Sequence, residues 1–230
     1  MSDLTTSPLF GAALTLAVYV LAQSWFRRTA IIWLNPVLVS VTLIIALLWS
    51  ADIPYRDYAR GGDLILFFLG PAVVALAVPL YQRREQLWRR RGAILTGTLG
   101  GALASIGSAC GLAWLLGGSR EVILSLAPKS VTTPIAIGIA ERIGGIPALT
   151  APLVVMTGCL GAVCGVEFCR LTGIRSPVAA GLAVGTAAHG IGTARMLEVD
   201  RLAGSVSGLA IGLNGLVTTL LMPSLMWLFA

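Results

Sequence analysis

Six stretches of this chain are apolar for long enough to make water the wrong solvent for them: Leu9 to Trp25, Ile31 to Trp49, Leu64 to Tyr81, Ala93 to Leu116, Pro147 to Phe168 and Leu202 to Phe229. A helix of about 20 apolar residues crosses a hydrocarbon core of ~30 Å, and only helices or closed barrels satisfy their backbone polar groups there. Two more windows, near Val122 to Ala140 and Pro177 to Leu197, are apolar but interrupted by proline, glycine and polar residues. Charged residues make up only 11% of the chain, against about 25% in soluble domains. These features predict an all-α polytopic membrane protein, a single domain over 1–230 with about six full spans and two broken or re-entrant segments.

Charge sets the expected orientation. No Lys or Arg precedes the first apolar run in "MSDLTTSPLF", so that run lacks the basic lead of a signal peptide and is expected to stay as a span. Arg27 and Arg28 follow the first span, and Arg83, Arg84, Arg89, Arg90 and Arg91 follow the third. The positive-inside rule then places these loops in the cytoplasm and the N-terminus outside. Arg56 and Arg60, between the second and third windows, run mildly against it. The net charge of +6 sits in short loops, where contact with anionic headgroups is the expected role; no nucleic-acid partner is expected.

Cys159, Cys164 and Cys169 are spaced by five and share no helix face, and with Cys110 they form no metal-ligand spacing. No metal or cofactor is expected, and the cysteines read as small apolar fillers. Gly97 and Gly101, Gly161 and Gly165, and Gly204, Gly208 and Gly212 recur at four-residue spacing. Such bare faces fit close packing between helices, or between copies of the chain in a homo-oligomer.

An internal repeat organises the second half. "TGTLGG" at Thr96 resembles "TGCLGA" at Thr157, and "KSVTTPIA" at Lys129 can be laid on "HGIGTARM" at His189 at nearly the same offset, which sets Lys129 on His189 and Thr133 on Thr193. The expected units are 92–145 and 147–203, each a glycine-rich span followed by a broken segment. If each broken segment dips in and returns, the copies are inverted; if each crosses, they are parallel. Inverted repeats with broken helices are a recurrent transporter plan.

Pro128 and Pro134 disrupt helical bonding in "LAPKSVTTPIAIGIAERIGG". Thr133 before Pro134 is the expected N-cap of a helix starting near Ile135. Its free N–H groups suit an anion, and Lys129 lies just before it. A lysine at the bilayer centre costs about 3 kcal/mol, so it must face protein, water or a ligand. The competing reading is a snorkelling lysine, or an ion pair with Glu121 or Glu141. In the second segment Ser176 and Pro177 start one half-helix, "HGIG" from His189 interrupts it, and Thr193 is the expected cap of another that carries Arg195. Two readings are open for His189: a donor or proton carrier for the ligand, or a buried ring satisfied by a backbone carbonyl. Arg195 either clamps a carboxylate or marks a helix edge. No G-x-S-x-G, H-E-x-x-H or P-loop occurs, and the chain is not expected to be an enzyme.

"NPVLVS" at Asn35, "FLGPAVVALAVPLYQ" from Phe68, "LAPKSVTTPIAI" at Leu126 and "GTAAHGIGTAR" from Gly185 together resemble the LrgB/CidB family of bacterial membrane proteins over nearly the whole chain. Met196 and Leu197 depart from the small residues of that pattern. The resemblance implies a bacterial inner-membrane protein acting with a small LrgA/CidA-type membrane partner. It carries two functional expectations: holin/antiholin-like control of murein hydrolase activity and autolysis, or transport of small monocarboxylates, as in a related plastid glycolate/glycerate translocator. Two capped breaks carrying a lysine and a histidine favour transport, of pyruvate, lactate, glycolate or glycerate. The expected substrate site is Lys129, Ser130, Thr132, Thr133, His189, Gly190, Thr193 and Arg195. Asn35, Gly70, Pro71, Pro128 and Pro134 are assigned helix-breaking, structural roles.

Overall fold

The computed structural model describes residues 5, 7–29 and 34–225, and among these the secondary structure consists of eleven helices without a strand. They divide into two compact units, 1–76 and 77–230. The first holds α1 (Pro8–Thr29), α2 (Pro36–Ser50) and α3 (Tyr55–Phe67); α4 (Leu69–Gln82) carries the boundary.

In the first unit α1 crosses α3 where two glycines meet: a Cβ on Gly11 would strike the Tyr58 carbonyl, and one on Gly61 the backbone of Gly11 and Ala12. Beside this crossing Thr15 Oγ1 and Tyr58 Oη lie 2.8 Å apart. Asn35 caps α2, its Oδ1 accepting from the amides of Val37 and Leu38 at 3.0 and 3.3 Å, with Pro36 in the first turn.

The second unit comprises α5 (Arg84–Arg89), α6 (Arg91–Leu115), α7 (Arg120–Leu126), α8 (Thr133–Ile143), α9 (Pro147–Leu171), α10 (Pro177–Val199) and α11 (Arg201–Leu225). Its long helices sort their faces as a lipid-bound helix must. On α9, Met156, Leu160, Cys164 and Phe168 recur every four residues and are exposed, while Val154, Gly158, Ala162 and Val166 are buried.

Both broken segments fold back. In α10 the backbone of His189 leaves the helical region, at φ 41° and ψ −138°. A Cβ on Gly192 would then lie 2.7 Å from Ala188 Cβ and 3.0 Å from Val184 Cγ1, although residues eight apart in a straight helix are separated by ~12 Å. Pro177 and Val199, at the two ends of α10, line one cavity. The first arm of α10 runs along α11 in the same direction, Gly181 on Ala203 and Gly185 on Ser207. The second arm runs back along it, with Thr193 Oγ1 2.6 Å from Ser207 Oγ and Leu197 on Gly204.

The other segment makes the opposite excursion. α7 descends along α6, with Cys110 Sγ 3.7 Å from the Ile123 carbonyl, and the chain continues until Ser130 meets Ser105. α8 then climbs back, so that the Ile146 amide donates to Ser125 Oγ at 2.8 Å and Thr150 Oγ1 to the Ser125 carbonyl at 3.1 Å. Gly144, at φ 84°, supplies the left-handed residue that ends α8. One hairpin therefore enters from the side where α6 ends, the other from the side where α9 ends.

Four of the six windows expected to span appear as helices long and apolar enough to do so: α1, α6, α9 and α11. The second expected window, Ile31 to Trp49, is the 15-residue α2, and its residues 31–33 lie outside the described residues, as do 226–229 of the last. The third, Leu64 to Tyr81, is divided at Phe68 between α3 and α4. Pro71 explains the division: it offers no N–H to the carbonyl of Phe67, four residues back, and its ring crowds that carbonyl.

Candidate functional site

The two breaks lie at the depth where α6 and α11 are half traversed. Ser105 and Asn214, which contact them, fall near the midpoints of these 25-residue helices. Backbone carbonyls freed from a helix at that depth have no water to turn to. Asn214 answers for one carbonyl of each break. Its Nδ2 donates to the carbonyl of Ser130 at 3.1 Å and to that of Thr186 at 3.0 Å. One buried amide thus ties the two hairpin turns to each other and to α11.

Around the first turn, Pro128, Ser130 and Val131 are buried. Lys129 Nζ donates to Ser105 Oγ at 2.9 Å and to Ser130 Oγ at 3.2 Å, and the two hydroxyls are 2.6 Å apart. Arg170 pairs with Glu167 and Arg195 with Glu198, and the carboxylate of Glu121 accepts from Ser119. The ammonium group therefore rests on neutral hydroxyls. Lys129 is half-buried, and a cation so placed lacks the counter-charge that normally accompanies a lysine at this depth.

At the second turn His189 Nε2 donates to the carbonyl of Val154 at 2.8 Å, which is the carbonyl-satisfied arrangement of the two foreseen. The ring occupies space left by Gly158, where a Cβ would stand 2.6 Å from Cε1. A histidine at positive φ costs about 1–3 kcal/mol and persists where its surroundings over-determine it; here the Val154 bond and the glycine gap do so.

Two expected caps are corrected. Thr132, rather than Thr133, occupies the N-cap of α8, without a side-chain capping bond, and Thr133 and Pro134 form the first turn. Two successive threonines before a proline leave that register open to local rules, since proline fits either first-turn position. Thr193 is no cap: its hydroxyl donates to the carbonyl of His189 at 2.9 Å and meets Ser207, within a helix that resumes directly after His189. Gly190 is exposed with open space around it, and Arg195 pairs with Glu198 at 2.9 Å. Lys129 and His189 bond to separate groups, and the junction between their turns is Asn214.

Asn214, Ser105 and Ser207 are the residues that sequence reasoning missed. A lone asparagine inside the apolar stretch "GLNGLV" is itself a sign, because an intramembrane amide must find a partner.

A cavity of about 260 Å³ runs along α8 and α11 from Pro134 to Arg142, and one of about 390 Å³ lies at the base of the second hairpin beside Arg170 and Arg175. Each hairpin thus has an arginine-marked cavity at its own membrane face.

The family model of the LrgB-like family matches residues 15–228. The chain is 37% identical over 216 residues to "Uncharacterized protein YxaC" of Bacillus subtilis, covering 94% of each, and 37% identical over 214 residues to "Uncharacterized protein YwbG" of the same organism, covering 93% of this chain and 95% of that protein. No solved structure matches. A match across nearly the whole chain, hairpins included, places this protein in the LrgB-like family.

Proposed function

We propose that the protein is a secondary carrier, or the carrier component of a two-protein system, for small monocarboxylates such as pyruvate, lactate, glycolate or glycerate. The observation that carries this reading is the pair of opposed hairpins whose turns meet at Asn214, with Lys129 held beside the junction on neutral hydroxyls. A cation without a carboxylate partner among the described residues suits a monoanion, and α8, whose first turn leaves amide donors free, begins four residues after Lys129. The units 92–145 and 147–203 are read as inverted repeats, a plan that presents one site alternately to the two sides.

The same topology supports an orientation. Arg84, Arg89, Arg90, Arg91, Arg170, Arg175 and Arg201 gather at one end of the second unit, while Arg120 and Arg142 lie at the other. The arginine-rich end of this unit is read as cytoplasmic in a bacterial inner membrane; Arg27 and Arg28, after the first span, are the sequence ground for reading the N-terminus as outside. In a chain whose native cysteines are replaced by alanine, the Arg175→Cys variant should react with impermeant maleimide only from the cytoplasmic face and Glu141→Cys only from the opposite face. Labelling of both from one face would overturn the inverted reading.

The direct test is uptake of labelled monocarboxylates into proteoliposomes, with and without a small LrgA/CidA-type partner. Saturable uptake is expected. Lys129→Ala should reduce it at least tenfold at equal protein level, because a charge-assisted bond to the carboxylate is worth about 1.5–3 kcal/mol. Flat uptake for all four acids in the presence of the partner would sink the proposal. Control of autolysis that survives Lys129→Ala would point to a role independent of this site.

A further inference from the structure

Two buried hydroxyls beside the junction stand apart from the other threonines. Thr98 on α6 and Thr186 on the first arm of α10 are 0% and 4% exposed, and neither Oγ1 has a hydrogen-bond partner among the described residues. Helical threonines normally satisfy themselves on the carbonyl four residues back. Thr96, Thr157 and Thr219 do so, at 2.8, 2.8 and 2.7 Å. Thr98 and Thr186 decline that bond, and a buried hydroxyl left unpaired is uncommon and costly.

Their placement says what they are for. Thr186 is the residue whose carbonyl shares the Asn214 nitrogen with Ser130, the neighbour of Lys129. Its side chain packs on Gly101, where a Cβ would lie 2.8 Å from Thr186 Cγ2. Ser105, which accepts from Lys129 Nζ, is one turn beyond Gly101, or ~6 Å along α6. Thr98 is two turns before Ser105 on the same face of α6, a face that is buried at Thr98, Ala102 and Ile106. Ser105, which holds the cation, and the two orphan hydroxyls thus follow one stretch of the α6–α10 contact.

We infer that Thr98 and Thr186 form the second half of the substrate site and take an uncharged oxygen, the hydroxyl or keto group of a short hydroxy- or oxo-acid, while Lys129 takes its carboxylate. This rests on the carrier reading above. A hydroxyl side chain both donates and accepts, so it serves either oxygen. One ammonium group and two neutral hydroxyls match a monoanion with one further polar oxygen. They do not match a dicarboxylate, and an unsubstituted fatty acid would leave the hydroxyls unpaired.

The test compares labelled lactate with labelled propionate, which differ by that one oxygen, in proteoliposomes of the full chain with its small partner. The wild type should favour lactate by about tenfold or more. Thr98→Val and Thr186→Val, which keep the shape and lose the hydroxyl, should each lower lactate uptake about tenfold and leave propionate uptake unchanged, bringing the ratio close to one. Thr98→Ser and Thr186→Ser should keep the preference, and a melting curve for each variant separates misfolding from lost selectivity. Equal uptake of both acids by the wild type, a preference that survives both valine variants, or a preference lost in the serine variants would overturn the inference and leave the carrier reading standing. A wild type that moves neither acid would overturn both.

Discussion

Replacing Asn214 by leucine is expected to lower the unfolding free energy by about 2–5 kcal/mol and to abolish uptake. The side chains are similar in volume, so the loss is one of chemistry. The amide donates to the carbonyls of Ser130 and Thr186 and is 1% exposed, so both acceptors are stranded when it goes. Each stranded buried carbonyl costs about 1–3 kcal/mol, and no water at that depth relieves it. Asn214→Asp should fail as well, because a carboxylate keeps the oxygen and loses both donors. Thermal unfolding in detergent and uptake in proteoliposomes read the two effects. A leucine variant with unchanged melting temperature would show that the hairpin turns hold their positions without the amide.

Gly161→Ala is the second large effect. Its new Cβ would fall on Ala188 Cβ and stand 3.3 Å from Ala188 Cα, where α9 meets the tip of the second hairpin. Neither atom belongs to a flexible chain end, so the helices must part, at about 1–3 kcal/mol. Gly107→Ala provides the control, since nothing lies within 4 Å of its Cβ position; it should be neutral or more stable by up to ~1 kcal/mol through helix propensity. Melting curves of the two variants should differ in sign. Gly161→Ala as stable as Gly107→Ala would mean that the hairpin does not pack on α9 at this glycine.

The legible parts of this fold are those decided by composition and by local chemistry. Apolar length marks α1, α6, α9 and α11, and the stretch from Pro128 to Pro134 announces a break with Lys129 inside it. What stayed hidden depends on residues far apart in sequence. Pro177 to Val199 contains no internal proline, and its reversal at His189 depends on Gly158 and Gly161 making room from α9. The hydroxyl of Thr193 reads as a cap from its neighbours alone, yet Ser207 shares it. Asn214 was visible as an oddity, but its two acceptors lie 84 and 28 residues away. Local rules also misplace a boundary by one residue where two threonines compete, and although Pro71 reads as a helix breaker, apolar length alone runs the third window on through Phe68.

Those long separations also order the assembly of the protein in time. The turns at Ser130 and Thr186 are made before residue 214 has left the ribosome, and until α11 is inserted their carbonyls lack the amide that later holds both. A chain ending short of Asn214 contains every residue of the two turns and none of the means of joining them. α11 is thus the piece that closes the two turns on each other, and the halves become one site only after it has been made.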